Sequence, residues 1–259
     1  MAPPPTDPLR FDLTAGGQAL FTSRAHGNLS TVRAQTRAQG MGARERLRRQ
    51  LELRRLCAGP QVHGTDIQRL RARDGVGAEP LTAAADGRAT ALAGVGVMVL
   101  TADCLPVLLG SDRAVAAVHA GWRGLAAGVL EEGVRALREL TETSREPNET
   151  SREPSRTPGA QGHARAEPEH RDGEIVAIIG PGAGPCCYEV GPEVHDAFDG
   201  AHRVGSNVDL PAIARERLLR AGVDRVEHVR LCTICDARFF SHRREGQAAG
   251  RQAGVAWLS

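Results

Sequence analysis

Short apolar runs alternate with polar, glycine-punctuated connections, and the period of the apolar positions changes along the chain. "LRFDLTAGGQALFTSRAHG" reads as a β-hairpin with Gly16-Gly17 at its turn. "GARERLRRQLELRRL" reads as an arginine-rich helix. "QVHGTDIQRL", "AGVGVMVL", "LPVLL" and "RAVAAVHA" then follow as four strand candidates. In "LAAGVLEEGVRALREL" the apolar residues Leu125, Val129, Leu130, Val134 and Leu137 recur at helical spacing. "EIVAIIG" has the continuous apolar character of a buried strand. "LPAIARERLLRAG" is a helix closed by Gly222, and "VEHVRLC" and "GVAWL" are further strands. Strands and helices mixed along one chain predict a single α+β domain.

One segment breaks the pattern. Residues 141–172 are polar, nearly free of large apolar residues, and contain "TSREP" twice in succession. Such a stretch buries too little surface to offset the entropy of ordering, so it reads as a disordered surface insertion. The expected organisation is an N-terminal segment with the first strand at 1–20, then one catalytic domain at 21–259 interrupted by this insertion.

Composition removes several classes of function. A formal net charge of +2 with scattered basic residues argues against nucleic acid as the main partner. No apolar run approaches the ~20 residues of a membrane helix. "MAPPPTDPLR" lacks the apolar core of a signal peptide, and six cysteines in 259 residues do not suggest a disulfide framework. Both point to a cytoplasmic protein. All 33 Lys+Arg residues are arginine, which excludes Schiff-base, pyridoxal phosphate and P-loop lysine chemistry.

Three motifs carry candidate chemistry. "GPGAGP" follows a strand, but Pro185 stands where a dinucleotide loop needs glycine, so it reads as a tight turn lining a cleft. Cys232 and Cys235 form a C-x-x-C. A closed zinc site would need a second pair at similar spacing, and Cys186 and Cys187 are adjacent, the wrong geometry for one chelating turn; structural thiols are the expectation. The strongest constellation is His63 in "QVHG", Cys104 in "TADC" and His119 in "VHAGWRG", each at or near the end of a strand candidate. One thiolate and two imidazoles suit zinc and leave a fourth position open, as catalysis requires. Gly121 and Gly124 let backbone approach a ligand, and Arg123 at the start of the next helix offers a fork suited to phosphate.

"QVHG", "TADCLPVLL", "AAVHAGWRGLAAGVL", "IGPGAGPCCYEVG" and "CTICDARFFSHRR", in that order, resemble the YfiH/laccase-domain family of purine nucleoside phosphorylases, formerly described as polyphenol oxidases. The resemblance runs from about Phe21 to Leu258, outside the insertion. It implies a four-layer α-β-β-α sandwich with mixed sheets and zinc held by His63, Cys104 and His119. It also implies phosphorolysis of adenosine, inosine, guanosine and methylthioadenosine, with adenosine deamination. The expected partners are the nucleoside and phosphate. Arg123, with Arg24 and Arg243, would balance phosphate charge, while Asp86 would contact substrate or orient a ligand. Asp103 is the other acidic candidate and reads as structural. The usual nucleoside-contacting stretch after the first hairpin is compressed here into "HGNLSTVRAQ" and "GARERLRRQ". Two rivals use the same residues: a copper-dependent oxidase, for which only Met98 lies near as an axial ligand, and a metal-free hydrolase with Cys104 as nucleophile and His119 as base. A hairpin loop over Gly110–Arg113 would set Leu109 opposite Ala114 and Cys104 opposite His119, on one face of the sheet.

Overall fold

The computed structural model describes residues 9–14, 16–71, 83–144 and 173–259. Its first sheet joins β1 (Leu9–Thr14), β2 (Gly17–Phe21), β3 (Arg55–Cys57), β6 (Val95–Thr101) and β13 (Gln252–Leu258) in the order β1-β2-β13-β6-β3. The second joins β4 (Ile67–Leu70), β5 (Gly87–Thr90), β7 (Leu105–Gly110), β8 (Val115–Ala120), β9 (Val176–Ile179) and β12 (Arg225–His228) in the order β12-β9-β7-β8-β5-β4. Both sheets are mixed: β3–β6, β4–β5 and β9–β12 are parallel and the remaining pairs antiparallel. A short ribbon, β10 (Arg203–Val204) with β11 (Asn207–Val208), stands apart. The helices are α1 (Arg37–Gln50), α2 (Trp122–Ala127), α3 (Val129–Thr143), α4 (Pro192–Asp196), α5 (Leu210–Arg220) and α6 (His242–Glu245). The mixed α and β content expected of the sequence is present.

Strand alternation sorts the core. Leu105, Val107 and Leu109 of β7 join one apolar cluster, whereas Leu108 between them joins another. β8 divides likewise, Ala116 and Val118 against Val115 and Ala117. The first set packs with Leu130, Val134 and Leu137 of α3 and Ile213 and Leu218 of α5. The second meets Leu13, Phe21, Val97, Val99 and Ala256 of the other sheet. The far face of that sheet, Leu20, Met98, Val255 and Trp257, packs on Ala43 and Leu47 of α1. Central strands are therefore buried on both faces, which is why "VGVMV" and "LPVLL" are continuous apolar runs.

Pairing directions gather the starts of β4, β5 and β7 and the ends of β8, β9 and β12 at one edge of the second sheet. Nearly all the motif residues lie there.

Local details depart from the expectations. The arginine-rich helix starts at Arg37 and stops at Gln50; Glu52 turns left-handed (φ 55°), and Arg55–Cys57 pairs with β6 instead. Gly128 (φ 98°) splits the helix expected after "HAGWRG" into α2 and α3. Only Ile67–Leu70 of "QVHGTDIQRL" is strand, so His63 sits on a loop. A boundary after residue 20 would cut β2, whose pairing with β13 makes the hairpin part of the first sheet. The expected 141–172 segment begins inside α3: Thr141 is buried and its hydroxyl lies 2.6 Å from Ser111 Oγ. Residues 145–172 lie outside the described residues.

The β7–β8 register differs as well. Leu109 faces Ala116, and Pro106 rather than Cys104 faces His119. β7 continues through Gly110 because the turn is tighter: Ser111 N–H donates to Ala114 O (2.9 Å) and Ser111 Oγ accepts from Ala114 N–H (3.1 Å). His119 N–H points away from β7, to Asp86 O (2.7 Å), so Pro106 breaks no bond of this pair; its carbonyl instead accepts from Gly180 N–H (2.8 Å).

The helix end gives a stability test. Thr141→Ala is expected to lower stability in urea by about 1–2 kcal/mol, because the buried Ser111 hydroxyl loses its 2.6 Å bond to Thr141 Oγ1 and keeps only its longer contacts within the turn. Removing residues 145–172 and joining Ser144 to Gly173 through a short linker is expected to change it by less than about 0.5 kcal/mol.

Candidate metal centre and active site

Three chain segments deliver the central residues to that sheet edge. His119 is the fifth residue of β8, and Cys104 immediately precedes β7. His63 hangs on the loop before β4, with left-handed backbone (φ 62°). Sγ of Cys104 lies 3.8 Å from Nε2 of His63, and the ligand atoms of His63, Cys104 and His119 all lie within 4.8 Å of one another. The two imidazole rings meet edge to face at 4.8 Å. A Cβ on Gly121 would stand 2.6 Å from His63 Cδ2 and 3.2 Å from Cys104 Sγ, so only glycine leaves this space open.

Asp86, expected to contact substrate or orient a ligand, is wholly buried, and its oxygens are occupied. Oδ1 meets His119 Nδ1 at 2.8 Å and accepts from His63 N–H at 2.9 Å; Oδ2 accepts from Gly64 N–H at 2.7 Å and Val62 N–H at 3.1 Å. It therefore fixes the His63 loop and turns the other ring nitrogen of His119 toward Cys104. Burial opposes its charge, but the His119 ring and the N–H groups of Gly64 and Val62 hold it below the usual carboxylate range.

The same balance acts on the ligands. Burial alone would raise the Cys104 thiol, yet the charge and hydrogen bonds of His119 and His63 bring it down to about 6. His119 is opposed by burial but raised to about 9 by the Cys104 thiolate and Asp86. Without a metal, these opposite shifts favour the thiolate–imidazolium form of the pair.

Asp103 is structural, as expected. Its backbone is left-handed (φ 86°); Oδ1 accepts from Thr233 Oγ1 (2.7 Å), and Oδ2 from Ser241 Oγ (3.1 Å) and Arg243 N–H (2.7 Å). The rim holds Tyr188, buried enough for its phenol to be pushed up to about 12, with the charge of Cys104 adding to the shift. The Arg243 guanidinium lies 5.1 Å from that ring. Arg251 also feels the charge of Cys104, though burial pulls it below the usual arginine range. Arg123 is exposed and stacks on Trp122 at 4.2 Å. Arg24 is engaged elsewhere: it donates to Phe239 O, pairs with Glu245 and stacks on Phe240.

Sequence reasoning missed two rim residues. Tyr188 carried a signal, being the only tyrosine and directly following the cysteine pair. Arg251 carried none in so arginine-rich a chain. The glycines of "GPGAGP" serve close packing: a Cβ on Gly180 would lie 2.2 Å from the Phe21 ring, and one on Gly182 2.5 Å from Leu105.

The fold and this edge define an α+β protein of two large mixed sheets with a histidine–cysteine–histidine group that could hold a metal ion. The chain belongs to the multi-copper polyphenol oxidoreductase laccase family, whose model matches residues 15–152 and 160–259, and its relatives include the YfiH proteins. A purine nucleoside phosphorylase of Xylella fastidiosa is 38% identical over 214 residues, covering 76% of this chain and 70% of that protein. One from Pseudomonas aeruginosa is 36% identical over 232 residues, covering 83% and 78%. Among solved structures, a Neisseria meningitidis protein superposes with a TM-score of 0.73 at 31% identity, covering 98% of this chain and all of that one. YlmD from Geobacillus stearothermophilus gives 0.70 at 28% identity, covering 95% and 93%.

Two measurements check the electrostatics. Alkylation of Cys104 by iodoacetamide in metal-free protein, followed on its peptide by mass spectrometry, is expected to reach half its plateau rate near pH 6. Loss of the imidazolium in His119→Ala should move that midpoint upward. Asp86→Asn is expected to weaken metal binding about 10–100-fold in chelator competition, since the His119 ring loses its anionic partner.

Proposed function

We propose that this chain is a zinc-dependent purine nucleoside phosphorylase, acting in the cytoplasm on adenosine, inosine, guanosine and methylthioadenosine, with adenosine deamination at the same site. The observation that carries the reading is the convergence of His63, Cys104 and His119, with Asp86 behind His119, in a chain whose relatives are named purine nucleoside phosphorylases. The donor set fits zinc: one sulfur and two nitrogens within 4.8 Å suit a single tetrahedral ion and leave one position for a ligand. Zinc there would supply Lewis-acid chemistry, orienting phosphate or activating water.

The chain's own groups account for the rest. In phosphorolysis a phosphate oxygen bonds to the sugar C1′ as the bond to the purine nitrogen breaks, and the departing base takes up a proton. Arg123, exposed beside the centre on α2, and Arg243 over Tyr188 supply positive charge for phosphate. Tyr188 keeps its proton through neutral pH and so offers a neutral donor to the purine. Asp86 holds the Nδ1 proton of His119 throughout.

Copper chemistry fits less well. Met98 packs in the outer cluster with Leu47 and Val255, so it offers no axial thioether. The metal-free hydrolase has one observation in its favour, a thiol, that of Cys104, within 4.8 Å of a ring nitrogen of His119, whose charge lowers its pKa.

The test is incubation of purified protein with adenosine and phosphate. Adenine and ribose 1-phosphate are the expected products, with inosine marking deamination, and activity should vanish on chelation and return with zinc. Turnover in the chelated protein that needs no phosphate, releases free ribose rather than ribose 1-phosphate, and is abolished by thiol alkylation would establish the hydrolase instead. Arg123→Ala is expected to raise the KM for phosphate severalfold with zinc content unchanged; loss of zinc would make Arg123 a structural support.

A further inference from the structure

The second cysteine group is independent of this centre. Cys186 and Cys187 sit on the loop after β9, and Cys232 and Cys235 on the loop after β12. Adjacent cysteines cannot chelate within one turn, but these four come from two loops. β9 and β12 are parallel neighbours, so both loops leave the same sheet edge and stay in contact. Gly182 bridges Cys232 in parallel; Thr233 N–H donates to Gly182 O (2.9 Å) and Gly182 N–H to Leu231 O (3.3 Å). The four sulfurs thereby lie within 4.8 Å of one another, Cys235 Sγ being 2.7 Å from Cys187 Sγ and 3.4 Å from Cys186 Sγ.

We propose that Cys186, Cys187, Cys232 and Cys235 form a closed tetrahedral site for a thiophilic divalent cation, zinc in the cell, that clamps the two loops. With Zn–S near 2.3 Å, tetrahedral geometry sets sulfurs about 3.8 Å apart, a spread that the cluster reaches by small side-chain rotations. A disulfide joins two sulfurs and leaves the others unexplained, whereas one ion uses all four. The backbone is prepared for anionic sulfur: Gly184 N–H points at Cys232 Sγ from 3.3 Å, supporting a coordinating sulfur from behind. Four protein ligands leave no open position, so the ion is structural. Its reach extends to the other centre. Thr233, between Cys232 and Cys235, donates to Asp103, which precedes Cys104; Tyr188 follows Cys187 and lies close enough to Cys104 to feel its charge.

The experiment compares zinc per chain in protein purified anaerobically under reducing conditions. The Cys104→Ser variant, which lacks a ligand of the first centre, is expected to retain about one zinc per chain. Exchanged with cobalt(II), it should show the thiolate charge-transfer and strong visible bands of a tetrahedral four-sulfur site. The double variant Cys232→Ser/Cys235→Ser should carry one zinc fewer than the unaltered protein. Should that variant fail to fold, titrating Cys104→Ser with a mercurial reagent should release its zinc to a chromogenic chelator. The proposal is overturned if Cys104→Ser holds no zinc and no cobalt, whether its thiols then all react freely or its mass shows hydrogens lost to disulfides. Neither readout depends on which reaction the first centre performs.

Discussion

The hydrogen bond between Asp86 and His119 is the interaction on which the site depends. It ties the start of β5 to the end of β8, and the same carboxylate accepts from three successive N–H groups at 62–64. These contacts are not equal. The 62–64 loop is largely exposed, so its N–H groups can turn to water, whereas the His119 ring is only 3% exposed and cannot. Leaving that buried ring nitrogen unpaired would cost about 1–3 kcal/mol, a sizeable part of a domain's net ~5–15. One buried anion thus both orients a ligand and moors the loop carrying another.

Around this contact the backbone is held where side chains rarely allow it. His63 and Asp103 are both left-handed without being glycine, a conformation that persists only where surroundings over-determine it. Asp86 supplies that for His63. For Asp103 the clamp is Thr233, Ser241 and the Arg243 N–H. Glycines complete the arrangement by absence: Gly121 leaves room between His63 and Cys104, and Gly182 lets its loop close on Leu105.

Much of this was legible in the sequence, for reasons that differ by residue. Buried central strands declare themselves as apolar runs, so β6, β7, β8 and β9 fell where the pattern put them. His119 and Cys104 came with them because strand ends carry functional groups. The QVHG loop was misread as strand, since a left-handed histidine leaves no trace in composition. The register was misjudged by the turn alone: the hydroxyl of Ser111 closes a tighter loop than residue types suggest. Pro106 still avoids a ladder bond with β8, because a shift of two residues preserves the strand's period. The cysteine pairs were discounted on spacing along the chain, a criterion that does not see two parallel strands delivering their loops to one edge.

That edge explains how two sulfur-containing clusters coexist without merging. One takes its ligands from β8, the lead-in to β7 and the loop before β4, the other from the loops after β9 and β12, and β7 lies between the two groups of strands. Asp103 spans the division: its carbonyl accepts from Ala183 N–H (2.7 Å) and its carboxylate from Thr233, while the next residue is Cys104. A displacement of either cysteine-bearing loop would therefore reach Cys104 through hydrogen bonds rather than through soft apolar packing. Cys104 precedes its strand and has no full ladder to hold it, so its position is set by Asp103 more than by β7.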